Sequence, residues 1–271
     1  NHIAEQLMSR LRQRKLDTTI TAIQKRHGPQ AIRRGVTDKR TPIMPHVSTG
    51  FPALDAITGC KGIPLGGVTM IGGRTTSGKL TLAYKALTGA QNVHAGDAVA
   101  IVDLTRSSDP DYLARCGVAL ERTMLVRPQP DISLPDLLVD LARSGDLRTI
   151  LVDNLAGLLA DGRTARRLHS VLGPLGHALR AKQCGLLFIH EPEPPWQRWP
   201  ATRWLTSRSW PIQQQAALCI EMQRERWLHA DGTLSGYRAR ACVTRSRWRF
   251  DRPCAVVEIE FNGAVRARKT W

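Results

Sequence analysis

The sequence predicts an α/β fold: a mostly parallel, twisted sheet with helices on both faces, preceded by a helical appendage. Three observations predict it. Apolar runs of strand length alternate with amphipathic stretches of helix length between residues 68 and 190, the pattern of βαβ units whose strands are buried on both faces. The first of these runs opens into a glycine-bracketed loop and then a helix, an arrangement that aims backbone N–H groups at phosphate. The last part of the chain carries further apolar runs of strand character, so antiparallel strands should extend the sheet.

In chain order, residues 3–15 place Ile3, Leu7 and Leu11 on one helical face and Arg10, Arg12, Arg14 and Lys15 on the rest, a short basic amphipathic helix. A second helix is expected from Asp17, an N-cap residue type, with Leu16, Ile20 and Ile23 on one side and Gly28-Pro29 ending it. Residues 33–45 are polar, basic and proline-containing and read as a linker, which divides the chain into 1–45 and a core, 46–271. Within the core, strands are expected at 68–72, 98–103, 149–153 and 185–190, and helices at 78–91, 110–116, 134–143 and 164–180. Further strands are expected at 216–222, 238–244 and 254–261.

The chain has 271 residues, 42% of them hydrophobic, enough for a sizeable core. Lys and Arg number 39 against 23 Asp and Glu, a formal charge of +16, which favours a polyanionic partner and puts nucleic acid first. No apolar run reaches the length of a membrane-spanning helix, and no basic stretch carries the large apolar residues of an interfacial one, so no membrane partner is expected. The six cysteines are scattered, without Cys-x-x-Cys pairs or histidines at ligand spacing, and read as reduced core residues of a cytoplasmic protein.

The chemistry concentrates in Gly73-Arg74-Thr75-Thr76-Ser77-Gly78-Lys79, which follows the first core strand and opens a helix. The glycines allow the tight turn, and Lys79 would reach the terminal phosphates of a nucleotide. At Leu80 the pattern departs from its form, because that position ordinarily supplies a hydroxyl to Mg²⁺. Thr81 follows, but one residue along a helix turns a side chain by about 100°, so it does not simply take over. Asp153 ends a core strand where a carboxylate can hold the water shell of Mg²⁺, or cap the following turn. Asp103 is the weaker candidate for that role, and His190 reads as a hydrogen-bonded core histidine. Between Glu191 and Trp210 the chain interleaves Trp196, Trp199, Trp204 and Trp210 with Arg198, Arg203 and Arg208 among four prolines. Flat aromatics stack on unpaired bases and arginines neutralise phosphates, which suits single-stranded DNA; a protein-contact surface is the competing reading.

Residues 46–87, HVSTGFPALDAITGCKGIPLGGVTMIGGRTTSGKLTLAYKAL, closely resemble the core of the RecA/RadA recombinase family, including Ser48-Thr49-Gly50, Leu54-Asp55 and the Gly62-x-Pro64-x-Gly66 segment. The resemblance continues through 16–32, similar to the N-terminal helix with which recombinase subunits oligomerise, and through 141–158 and 185–191. It does not reach the C-terminal accessory domain of bacterial RecA. It implies a RecA-like P-loop NTPase core that takes ATP and Mg²⁺, with residues 73–81 lining the phosphates and Asp109 and Tyr112 against the adenine. It further implies that Arg245 and Arg247 reach a neighbour's nucleotide across a filament interface, and that the Trp/Arg segment is the second DNA-contacting loop. The partners implied are DNA and either a second copy of the chain or a RecA-type recombinase, in repair or the SOS response.

Three departures bear on activity. The family's catalytic glutamate aligns with Thr105, which is no general base, and its sensing glutamine aligns with Glu191, whose charge opposes a γ-phosphate. With Leu80 these predict retained nucleotide binding and slow or absent hydrolysis, Lys79 and Asp153 remaining from the catalytic set. Three readings stay open: a recombination or repair protein that joins or regulates a filament, an ImuA-type adaptor holding a repair polymerase complex, and an active DNA-dependent ATPase in which Glu191 has become the base.

Overall fold

The computed structural model describes residues 2–28, 45–191, 209–261 and 266–267. The chain forms two units, Asn1–Pro42 and Ile43–Trp271. In the first, a single helix α1 (His2–His27) replaces the two expected. No glycine or proline interrupts residues 2–27, and instead of starting a new helix the polar stretch continues it, Thr18, Thr19 and Thr21 donating to the carbonyls of Arg14, Lys15 and Asp17. Gly28, at φ +92°, ends it, its N–H returning to the Gln24 carbonyl at 2.8 Å. The expected linker lies almost wholly outside the described residues.

The second unit begins with a two-stranded ribbon, β1 (His46–Val47) and β2 (Ile63–Pro64), enclosing α2 (Pro52–Ile57). The main sheet then forms from β3 (Val68–Gly73), β4 (Ala98–Val102), β5 (Thr123–Val126), β6 (Leu147–Val152), β7 (Gly185–His190), β8 (Leu218–Ala230), β9 (Thr233–Ser246), β10 (Cys254–Glu260) and β11 (Arg266–Ala267). Their spatial order is β11-β10-β9-β8-β3-β7-β6-β4-β5. From β8 to β5 the pairings are parallel; from β8 to β11 they are antiparallel, the extension the sequence predicts. Among the described residues, helices α3 (Lys79–Gln91), α4 (Pro110–Arg115), α5 (Leu134–Ser144), α6 (Leu155–Leu158), α7 (Gly162–Lys182) and α8 (Trp210–Gln215) and a 3-10 turn at Leu120–Arg122 accompany the sheet.

Alternation along the strands divides the core in two. Ile71, Ile101, Leu151, Leu187 and Ile189 pack with Leu82, Leu87 and Leu113 of α3 and α4. Their neighbours Met70, Val102, Ile150, Leu186 and Phe188 pack with Leu138, Leu168 and Leu175 of α5 and α7. Strands buried on both faces read as continuous apolar runs, which is why the parallel part was legible. The β8–β9 hairpin is much longer than expected; it closes at Asp231-Gly232, both at positive φ, with Ala230 opposite Thr233.

One sequence expectation is corrected here. Cys242 stands opposite Cys254 on β9 and β10, and the two form a disulfide. The hairpin register, which no cysteine motif announces, brings them together. Cys60, Cys116 and Cys184 are buried free thiols; burial pushes Cys116 up to about 11 and Cys184 up to about 12, so these remain protonated and inert. The cytoplasmic expectation rested on cysteine usage and on the class of partner, and the cysteine part of it does not hold for this pair. No helix among the described residues is long and apolar enough to cross a membrane.

Candidate functional site

The carboxyl ends of β3, β4, β6 and β7 are the part of a parallel α/β sheet where ligands bind. Register sets Gly72 beside His190 of β7 and Glu221 of β8. A Cβ on Gly72 would lie 2.5 Å from the tips of both side chains, so any larger residue would have to push them aside. Gly73 and Gly78 stand at φ +156° and +92°, and a Cβ on Gly78 would approach the Tyr237 hydroxyl to 2.8 Å. Between them the loop closes on itself, Ser77 N–H donating to the Arg74 carbonyl at 3.1 Å. The first turn of α3 receives no side-chain cap, so its N–H groups call for an outside acceptor. Ser77 Oγ is buried with no partner among the described residues. This donor set fits a phosphate group.

Lys79 is nearly buried, and its ammonium donates to the Arg74 carbonyl at 3.2 Å and to Glu191 Oε1 at 3.1 Å. Glu191 also accepts from Thr75 Oγ1 at 3.2 Å. Its hydrogen bond to Lys79, opposed by partial burial and reinforced by the lysine charge, holds its carboxyl below the usual range, so it is ionised at neutral pH. The loop lysine is thus neutralised by a residue 112 positions away.

Asp153 is engaged too. Its Oδ1 accepts from Leu104 N–H at 2.9 Å, and its Oδ2 from Thr105 N–H at 3.1 Å and from the Thr105 hydroxyl. Burial raises its pKa despite those bonds. Asp103, wholly buried, is ion-paired with Arg127 at 2.9 Å. Leu80 presents an exposed hydrocarbon at the ligand position. Mg²⁺ takes oxygen ligands, and the side chain at residue 80 offers none, while both Asp153 oxygens already accept from Leu104 and Thr105.

The other predicted residues fall as follows. Thr81 Oγ1 is buried and shared between the Tyr112 hydroxyl at 2.6 Å and the Tyr237 hydroxyl at 3.0 Å. Tyr112 is half-buried, its ring edge-on to Tyr84 with centroids 5.9 Å apart. Asp109 caps α4 through Asp111 N–H. Arg245 and Arg247 donate to carbonyls of Gln214, Gln215 and Ala216 at the end of α8 within their own chain. Trp196, Arg198, Trp199, Arg203, Trp204 and Arg208 lie outside the described residues, and Trp210 begins α8. His190 is half-buried with Nε2 3.6 Å from Glu221 Oε1.

Sequence reasoning missed Arg224. On β8, it donates from Nη1 to Thr76 Oγ1 at 2.7 Å, and its guanidinium lies 4.2 Å from the centre of the Trp227 ring. Trp227 in turn meets Tyr237 edge-on at 5.9 Å. The hairpin therefore holds the loop at two points, Thr76 through Arg224 and Thr81 through Tyr237.

A glycine-bracketed loop between a central parallel strand and a helix, with a nearly buried lysine opening that helix, places the chain in the P-loop class of α/β proteins. The chain belongs to the RecA N-terminal domain family, whose model matches residues 14–174. It is similar to Protein RecA of Kineococcus radiotolerans, 34% identical over 192 residues that cover 66% of this chain and 54% of that one. Protein RecA of Streptomyces venezuelae is 31% identical over 66% of this chain and 50% of its own length, and that of Clavibacter michiganensis 28% over 66% and 52%. The chain spans about half the length of these relatives.

Proposed function

We propose that this chain is a recombination or repair protein that binds an adenine nucleotide at residues 73–81 and single-stranded DNA through its Trp/Arg segment, and that joins or regulates a filament without powering turnover. The observation that carries the proposal is the contrast within the site. The phosphate cradle of backbone amides is intact, whereas the groups that would split a triphosphate are absent or engaged: Leu80 ligates nothing, Thr105 binds Asp153, and Glu191 holds Lys79. Phosphoryl transfer depends almost wholly on such groups for positioning and charge stabilisation.

DNA as partner follows from the +16 charge together with family membership. Exposed Leu11 and Leu16 on α1 favour a helix that docks on a second copy or on a RecA-type recombinase. A second reading, an adaptor in a repair polymerase complex, is favoured by Arg245 and Arg247, which are spent on their own chain rather than offered to a neighbour's nucleotide. Titration with adenine nucleotides, alongside Lys79→Ala, tests the site. Saturable binding that the substitution abolishes is expected; no binding at millimolar nucleotide, or binding indifferent to Lys79, refutes it. Electron microscopy and binding measurements with single-stranded DNA separate the two readings, filaments without phosphate release supporting the first and no DNA binding at all the adaptor.

A further inference from the structure

Resting on the reading of 73–81 as a phosphate loop, we infer that the site selects a nucleoside diphosphate over the triphosphate, and that Glu191 sets the selectivity. An ammonium has three N–H donors. Among the described residues, Lys79 commits one to the Arg74 carbonyl and one to Glu191, which leaves one for a ligand. The Glu191 oxygen that Lys79 holds is also held by Thr75 Oγ1, so the carboxylate is anchored on both sides of the loop. The terminal group of a diphosphate needs only backbone amides and the one remaining Lys79 donor. A third phosphate must either displace the carboxylate from both anchors or lie beside it, like charge against like.

Among the described residues, Arg224 is the cation nearest the loop apex, on Thr76, and no oxygen-bearing side chain stands where a bridging cation would be ligated. A cation bridging the last two phosphates would ordinarily offset that penalty, but the side chain at its ligand position is the hydrocarbon of Leu80. The strand-end carboxylate Asp153 is taken up by the turn at Leu104 and Thr105. Glu191 is 60% exposed, so water screens it and it can swing aside. The selectivity is therefore finite, about fivefold in affinity at most.

Isothermal titration calorimetry of the whole chain with ADP and with ATP, each with and without Mg²⁺, tests this on the parent protein and on Glu191→Gln, Glu191→Ala and Lys79→Ala. The parent should bind ADP more tightly than ATP. Both Glu191 substitutions should bring the two affinities together, mainly by tightening ATP. Equal or tighter ATP binding by the parent, or a preference unchanged in both variants, overturns the inference. If binding in those cases still requires Lys79, the phosphate-loop reading survives. If neither nucleotide binds, that reading falls and the inference with it.

Discussion

At the scale of single residues, the site is decided by who neutralises whom. Leu80 was legible as a departure from the loop pattern itself, whereas Thr105 and Glu191 were legible only through the resemblance to the RecA family, whose glutamate and glutamine they replace. What the sequence did not disclose is that Glu191 settles on Lys79, and Thr105 on Asp153, since those pairings depend on strands 112 and 48 residues apart lying side by side. Asp103 shows the same logic in a purely structural role. Burial alone would raise its pKa, but Arg127 and the Ser107 N–H hold it below the usual range. A depressed carboxylate stabilises the fold above its unfolded pKa and loses that contribution as pH falls through the folded value. Arg127→Ala strands a buried charge and should cost about 2–3 kcal/mol in urea unfolding at pH 7. The same variant should unfold at a higher pH than the parent on acid titration; an unchanged acid midpoint would deny Arg127 this role.

At the scale of elements, the parallel strands and their helices were readable because burial on both faces writes continuous apolar runs. The β8–β9 hairpin was only half readable. Its outer half, including Arg226, His229 and Asp231, is exposed, so the pattern that marks a strand fades there while the ladder continues. Below its exposed tip the hairpin carries Arg224, Trp227 and the buried Tyr237, the clamp on the phosphate loop. Thr81→Val would leave two partly buried tyrosine hydroxyls without their shared partner and should cost about 2 kcal/mol of stability, read from the chemical denaturation midpoint. Arg224→Ala removes an anchor of the loop apex and a cation–π contact worth about 0.5–1 kcal/mol. It should weaken nucleotide binding severalfold while shifting the melting temperature little. A variant that binds as the parent does would show that the clamp is idle.

At the scale of the molecule, the charge excess of +16 favours a polyanionic partner and says nothing of its geometry. Single-strand affinity should fall with salt, with a log–log slope of about −0.7 for each phosphate neutralised. Replacing Arg198, Arg203 and Arg208 with alanine should flatten that slope. Replacing Trp196, Trp199 and Trp204 should weaken binding and leave the slope alone, because stacking releases no counterions. Fluorescence anisotropy over a range of salt distinguishes the two, and a slope unaffected by the arginines would move DNA elsewhere on the chain. Family membership and the sheet were accessible from sequence, since both rest on patterns of residue type. The disulfide and the inward turn of Arg245 and Arg247 were not, since both follow from register.

A phosphate cradle kept beside a hydrolytic apparatus lost should bind nucleotide without turning it over. Phosphate release from ATP, measured with saturating single-stranded DNA and Mg²⁺ beside Lys79→Ala, tests this most directly. The account predicts release by the parent no faster than by the variant, although the parent binds nucleotide. Sustained release that disappears with Lys79→Ala would contradict it.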